Sequence, residues 1–454
     1  LNETHLIAIL NDEIIAASNY GLLRFNSSEN IISDFTKVDG LNGVELTEIE
    51  SSPNGIDVLL GYEDGLMELW NSDIIREIPD IPQSGKYPGR SSINAFVFDG
   101  EDRAFAATGF GVVELDLSYG VVKGTYLLKD DGNTTETYNV DIDNDSLYVA
   151  AETGLWSASL GDPLYLFSSW NQCERWADTA VNDISISGAD YLVSKNESGA
   201  IWLKKDGIWL EMYLNNSDKF EVRRISKTDN GYLVIRDFDI IYIDTLGIQR
   251  QVYSSGLSNN DNFSPRDAKI SSNGVLWIAN AGKGISLIDN PDYVQHRKIS
   301  GPPSSSVFEV SSSLHGIEVF SGAIDPTWTA TYCNEGVFLF NQENWSVLSS
   351  EKLNDAKDIL AKVVDPSDTS HWFVSSWGKG VLEFKDGELE TVWDNTNSSL
   401  MSASGSTTND VRTGGLCWGE DGALWVTNAL SNSPLHRFNP TTGQWKAFGL
   451  GAFN

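Results

Sequence analysis

The chain has 454 residues, with 31 Lys and Arg against 64 Asp and Glu, a formal net charge of −33. Over a Debye length of about 10 Å such a surplus repels phosphate backbones and anionic headgroups, which argues against nucleic acid or a bare membrane as partner. Apolar residues make up 41%, with 15 Trp, 15 Tyr and 19 Phe, so the acid belongs to a folded surface and not to a disordered tail.

The length exceeds one ordinary domain and implies either two domains or one repetitive architecture. Forty Gly, only three Met, and Ser, Asn and Asp placed between short apolar runs predict an all-β chain of short strands and many turns. No run approaches the ~18 apolar residues of a membrane span, and the chain opens on Leu1, as a processed product would. Cys173, Cys333 and Cys417 are far apart, with no CxxC; three semi-buried thiols are expected rather than a disulfide framework or zinc site. His5, His296, His315, His371 and His436 are equally scattered, so no metal site is predicted.

Along the chain one pattern recurs: an Asx-rich turn, a short apolar strand ending in small residues, a turn ending in Gly, and a second strand. It is plain in 144–156 (NDSLYVAAETGLW) and 273–285 (NGVLWIANAGKGI). Aligned on the turn residue, it falls at Gly21, Gly65, Gly111, Gly154, Gly199, Asp239 (where Gly is absent), Gly284, Gly336 and Gly380. A tenth copy over 421–438 has a longer turn. A period of roughly 40–50 residues built from short strands is that of a four-stranded propeller blade. Small pairs such as Ala16-Ala17, Ala106-Ala107 and Ala150-Ala151 suit crowded inner strands. Ten blades exceed one usual ring, so the expected fold is a seven-bladed β-propeller over 43–347. Residues 1–42 and 348–454 are then expected to belong to a second, incomplete propeller.

The blades also carry a family resemblance. Residues 107–116 (ATGFGVVELD), 59–69 (LLGYEDGLMEL), 414–418 (GGLCW) with 424–428 (LWVTN), and Gln444-Trp445 resemble, in the same order, blades of the PorZ family of the type IX secretion system. The resemblance implies two seven-bladed propellers followed by a C-terminal sorting domain, before which this chain is truncated. It further implies a noncatalytic, exported protein of the outer-membrane-associated cell surface. Within the attachment complex it would act with the sortase PorU and with PorV and PorQ, handling anionic lipopolysaccharide. The Gly-x-Leu-Trp-Val-x-Thr core is shared with propellers that sense ligands in the periplasm for two-component regulators. A membrane helix and kinase further along the gene would favour that reading, and turnover on surface polysaccharide would favour a carbohydrate-active enzyme.

Catalytic signatures are few. Residues 256–260 fail the last position of a GxSxG elbow, Gly282-Lys283 and Gly378-Lys379 lack the upstream Gly of a P-loop, and HExxH is missing. Asp141 to Asp145 opens like a calcium loop with Glu152 at its twelfth position. Residues 146–151, however, read as a strand that carries Glu152 roughly 23 Å from Asp145. Residues 271–277 resemble an Asp box with the wrong Gly spacing. No enzyme activity and no cofactor are expected.

Two surface features are candidate binding sites. If the repeat's hairpin joins the second and third strands, its tips carry Glu63, Asp64, Glu152, Glu197, Asp237, Asp239 and Glu335 on one face, an acidic upper mouth for cations or a basic partner. On the opposite face Lys204 and Lys205, with Arg223, Arg224 and Lys227 near the next lower turn, are expected to form a basic landing point for an anionic glycan. Trp377, just before a tip, is a candidate sugar-stacking platform.

Overall fold

The computed structural model describes residues 2–449 except 12, 72–73, 87–89, 188–189, 196–199, 213–220, 255–263, 291–292, 300, 305, 314–315, 323, 328, 342–343 and 407. Among these residues the chain forms ten groups of four antiparallel strands, each in sequence order. We number them sheets I (6–35), II (46–78), III (93–126), IV (137–172), V (181–212), VI (222–254), VII (265–297), VIII (309–348), IX (359–393) and X (411–448). Each of the ten repeats maps to one sheet, and the turn residues among the described residues lie just before or at the start of its third strand. The fold is the expected all-β propeller type.

Two units divide the chain, Leu1–Ile299 and Ser300–Asn454. In the first, the inner strands of sheets I to VII lie side by side in order, and the seventh returns to the first. Every neighbouring pair encloses its own apolar core, including VII and I, where Ile7, Ala16 and Leu23 pack on Trp277 and Ala279. The paired alanines sit back to back: Ala17 enters the core between I and II, Ala16 the core between I and VII. A strand buried on both faces has room for little else.

The ring is therefore drawn differently from the expected 43–347: residues 1–42 belong to it, and sheet VIII belongs to the second unit. The repeat period is alike for every blade and cannot say which two meet. What decides closure is local chemistry at the ring's ends. Thr4 Oγ1 accepts from Asn280 N (3.0 Å) and donates to Gly284 O (2.7 Å). Gly284 N donates to Asn2 O, and Ile7 N to Asp267 Oδ2 at 3.1 Å. The same threonine joint recurs where Thr137 holds Thr108 N and Gly111 O, and in the second unit where Thr413 holds Ser376 N and Gly380 O.

The turn glycine has a steric reason. A Cβ on Gly284 (φ 69°) would lie 2.5 Å from Arg297 O, and one on Gly380 (φ 80°) 2.2 Å from Trp393 O, because the fourth strand's carbonyl closes on the turn. At Asp239, where the repeat lacks Gly, the turn is spanned instead by Arg236, whose Nε donates to Asp239 Oδ1 at 2.7 Å. We call the end of each sheet that holds this second–third hairpin upper, and the other end lower. No helix among the described residues is long and apolar enough to cross a membrane.

Candidate functional site

The centre of the first unit is polar. Six of its seven inner strands begin with a break in pairing register, after Leu46, Ile93, Thr137, Val181, Val222 and Pro265. Such a bulge re-aims the next side chain. On sheet III that place is taken by Ala95, and the polar residues so re-aimed are Glu48, Asn139, Asp183, Arg224 and Asp267. They meet as one layer. Arg224 reaches across the ring and donates from Nη1 and Nη2 to Glu48 Oε2 and Oε1 at 2.9 and 2.6 Å. Its Nε lies 3.6 Å from Asp267 Oδ1. Asn139 Nδ2 donates to Asp183, which also accepts from Ile184 N and, on the next sheet, Ile225 N at 2.6 Å. Asp267 repeats that bridge from Ala268 N to Ile7 N.

A second layer lies below. Asp141 accepts from Ile142 N and from Ile186 N of the next sheet, each at 2.7 Å. Lys269 Nζ holds both oxygens of Glu50 at 2.8 Å. Burial dominates the titration here. It pushes Glu48 above the usual carboxylate range against the pull of Arg224, Asp183 up to about 7, and Asp141 up to about 6. Enclosure would lower Arg224, but Glu48 and Asp267 hold it well above its ordinary value. Burial lowers His5, whose Nε2 lies 2.9 Å from Leu46 O.

The Arg224 crossbar separates two cavities. The upper one, of about 450 Å³, is bordered by His5, Asn94, Tyr138, Asn182, Arg223 and Arg266. The lower one, of about 290 Å³, is bordered by Glu50, Asp141, Ser226, Lys227 and Lys269. Arg266 makes no hydrogen bond or ion pair among the described residues, so its guanidinium is available at the upper opening. Chemically the upper cavity offers cationic and amide donors to an anionic or hydroxylated ligand.

The expected basic cluster is split. The strand Val222–Thr228 runs from the upper end to the lower, which puts Arg223 at the upper rim, Arg224 in the crossbar and Lys227 at the lower cavity. Lys204 lies over Tyr191, 4.7 Å from its ring centre, and Lys205 donates to Thr245 O at 2.7 Å, both on the third strand of sheet V. Trp377 is buried at 4% exposure and faces Arg412. Its strand runs on past the expected tip and pairs with the first strand of sheet X, so it is no stacking platform.

Of the acidic tips, Glu63, Asp64 and Glu152 are exposed at upper hairpins. Asp237 accepts from Arg223 at 2.7 Å, and Asp239 is buried on Arg236. Glu335 lies in the second unit, accepting from Ser304, and Glu197 falls outside the described residues. The three cysteines form no disulfide, and Cys417 is exposed. His436 is buried between Ser399 Oγ and Ser433 O, His296 meets Ser286, and His315 is not described.

Glu48, Asn139, Asp183, Arg266 and Asp267 were not predicted as site residues. A signal for three of them was present: an acid followed by an apolar residue opens the inner strand at Glu48-Ile49, Asp183-Ile184 and Asp267-Ala268. Alignment on the turn leaves that register unread.

Residues 14–171 match the family model described as TSS9, PorZ, N-terminal beta-propeller domain. Among solved structures the chain is similar to PorZ of Porphyromonas gingivalis, described as an essential bacterial surface component of the type IX secretion system. That match has 18% identity and a TM-score of 0.74, and covers 99% of this chain and 59% of that one. It is also similar to a streptogramin B lyase (12% identity, TM-score 0.51, 65% of this chain and 94% of that one). A third match is the extracellular domain of a hybrid two-component system of B. thetaiotaomicron (14%, 0.49, 99% and 65%). No curated protein matches by sequence.

Proposed function

We propose, from the match of residues 14–171 to the PorZ N-terminal β-propeller family model of type IX secretion, that this chain is a noncatalytic propeller of the cell-surface attachment complex. In this reading it is exported to the outer-membrane surface, serves as a scaffold beside sortase and outer-membrane partners of the PorU, PorV and PorQ kind, and handles anionic lipopolysaccharide for the sortase. A noncatalytic role is supported by the axial layer itself: Glu48, Asp141, Asp183 and Asp267 are each engaged by backbone N–H groups or by Arg224, and so hold the ring rather than wait for a substrate.

The observation that carries the glycan reading is Arg266 at the upper cavity, beside Arg223 and the amides of Asn94 and Asn182. In a chain of net charge −33 an anion needs such a local site. Retention of the chain on immobilised anionic lipopolysaccharide tests it. Arg223→Glu with Arg266→Glu is expected to cut retention about tenfold or more, the scale of a lost charged contact, while Lys204→Glu with Lys205→Glu changes it little. Undiminished retention by the arginine variant overturns the site, and failure of sortase-complex proteins to co-purify with the wild-type chain overturns the scaffold role.

A further inference from the structure

We propose that sheet IX holds a binding site for one divalent transition-metal ion of the zinc class, with His371 Nε2, Glu383 and Glu390 as ligands. The three lie on adjacent strands, Asp368–Gly378, Gly380–Lys385 and Glu388–Trp393. Their ligand atoms all fall within 4.8 Å of one another. Glu390 gets there through an extra residue. Phe384 opposes Leu389 and Glu383 opposes Thr391, so Glu390 is the unpaired residue of a bulge and turns toward the face that carries Glu383 and His371.

His371 Nδ1 lies 3.1 Å from Asp365 Oδ2, and Nε2 lies 2.7 Å from Glu383 Oε1. With the N–H of a neutral imidazole on Nδ1, the Nε2 lone pair faces the Glu383 carboxylate, the place an ion would take between them. Asp365 is fixed by Ser367 N (2.8 Å) and Ser367 Oγ (2.7 Å), and so holds the Nδ1–H tautomer with Nε2 free to ligate. Trp393 Nε1 donates to Glu383 Oε2 at 2.7 Å and orients that carboxylate, and the His371 ring packs on Phe373 at 4.7 Å. An outer carboxylate on the far ring nitrogen and a hydrogen bond on the ligating acid are what metal-binding His and Glu side chains require. Glu390 is exposed and makes no hydrogen bond or ion pair among the described residues, which gives the ion an entry side.

One imidazole nitrogen with two carboxylates suits a four-coordinate ion whose last position is filled by water, whereas calcium and magnesium take mostly oxygen ligands in larger number. Bonds of about 2.0–2.1 Å at tetrahedral angles put ligand atoms ~3.3 Å apart. His371 and Glu383 must therefore part slightly and Glu390 close in, a side-chain adjustment only. The test is titration of the metal-stripped full chain with zinc chloride by calorimetry, and with cobalt chloride by visible absorption. Expected are one ion per chain, tetrahedral cobalt bands, loss of both in His371→Gln, and roughly 10–100-fold weaker binding in Asp365→Asn. Glu390→Gln, at an exposed position that leaves folding intact, is expected to weaken binding by a similar factor. Binding unchanged in Glu390→Gln and His371→Gln would place the ion elsewhere and overturn the proposal. So would no binding up to about millimolar zinc.

Discussion

Sheets IV and V of the first unit and sheets IX and X of the second are built from one repeat, yet each pair joins its neighbouring sheets with different chemistry. Between IV and V the joint is a carboxylate: Asp141 reaches over and accepts from Ile186 N. Between IX and X it is main chain, because the strand Asp368–Gly378 continues until Trp377 opposes Arg412 and Gly378 opposes Val411. Behind that pairing lies an aromatic core in which Phe438 packs on Trp445 at 4.7 Å and on Trp393 at 5.1 Å. At these two joints, then, the first unit relies on buried charge and the second on apolar area and continuous pairing.

Removing the crossbar gives the largest expected difference. Arg224→Met leaves Glu48, 1% exposed, without its counter-charge, and is expected to cost the first unit about 3–5 kcal/mol while leaving the second unchanged. Unfolding calorimetry, with hydrogen exchange to assign each transition to its unit, measures this. Adding Glu48→Leu is expected to restore most of the loss, and a loss shared by both units would break the comparison.

Acidity comes next. Asp141 and Asp183 have folded pKa values of about 6 and about 7, above their unfolded value. The folded ring therefore binds protons that the unfolded chain has released, and their contribution falls as pH rises from about 4 to 7. A shift of about two units at Asp141 corresponds to roughly 3 kcal/mol. Asp141→Asn should flatten that slope in melts of the first unit between those pH values. In the second unit Asp365 tilts the other way: despite partial burial, its bonds from Ser367 hold it below the usual range, so its stabilisation is lost as pH falls.

Smaller still are the joints the two units share. Thr4→Val and Thr413→Val each leave a backbone N–H and a turn carbonyl unmatched, and each is expected to cost about 1–2 kcal/mol in its own unit only. Arg437→Ala breaks an exposed 2.7 Å pair with Asp421 and is expected to cost under about 1 kcal/mol by the same calorimetry.

The ten repeats were legible because turn chemistry and alternating strands are local, and each produced one sheet. The ring boundary was not. Residues 2–7 meet 267–284 through a threonine hydroxyl, a carboxylate and backbone groups that look ordinary wherever they stand in sequence. Placement of the candidate residues differs for a related reason. The repeat puts Arg223 and Arg224 near a lower turn, whereas their strand starts at the upper end and a bulge turns Arg224 to the axis; it puts Trp377 just before a tip, whereas its strand runs on into another sheet. Glu63 and Glu152 lie exposed on upper hairpins, whose position follows from the repeat itself.

Ring closure also sets a timetable. Ile7 and Asp267 are separated by 260 residues, so partners this far apart in sequence are among the last to meet. At synthesis rates of roughly 5–20 residues per second, sheet I waits about 13–50 s with one flank bare before sheet VII exists. Until then Ala16 and Leu23 are apolar surface with no neighbour, open to another chain's strands. Loop-closure entropy adds to the delay, which makes this flank a part of the first unit that needs protection during its own birth.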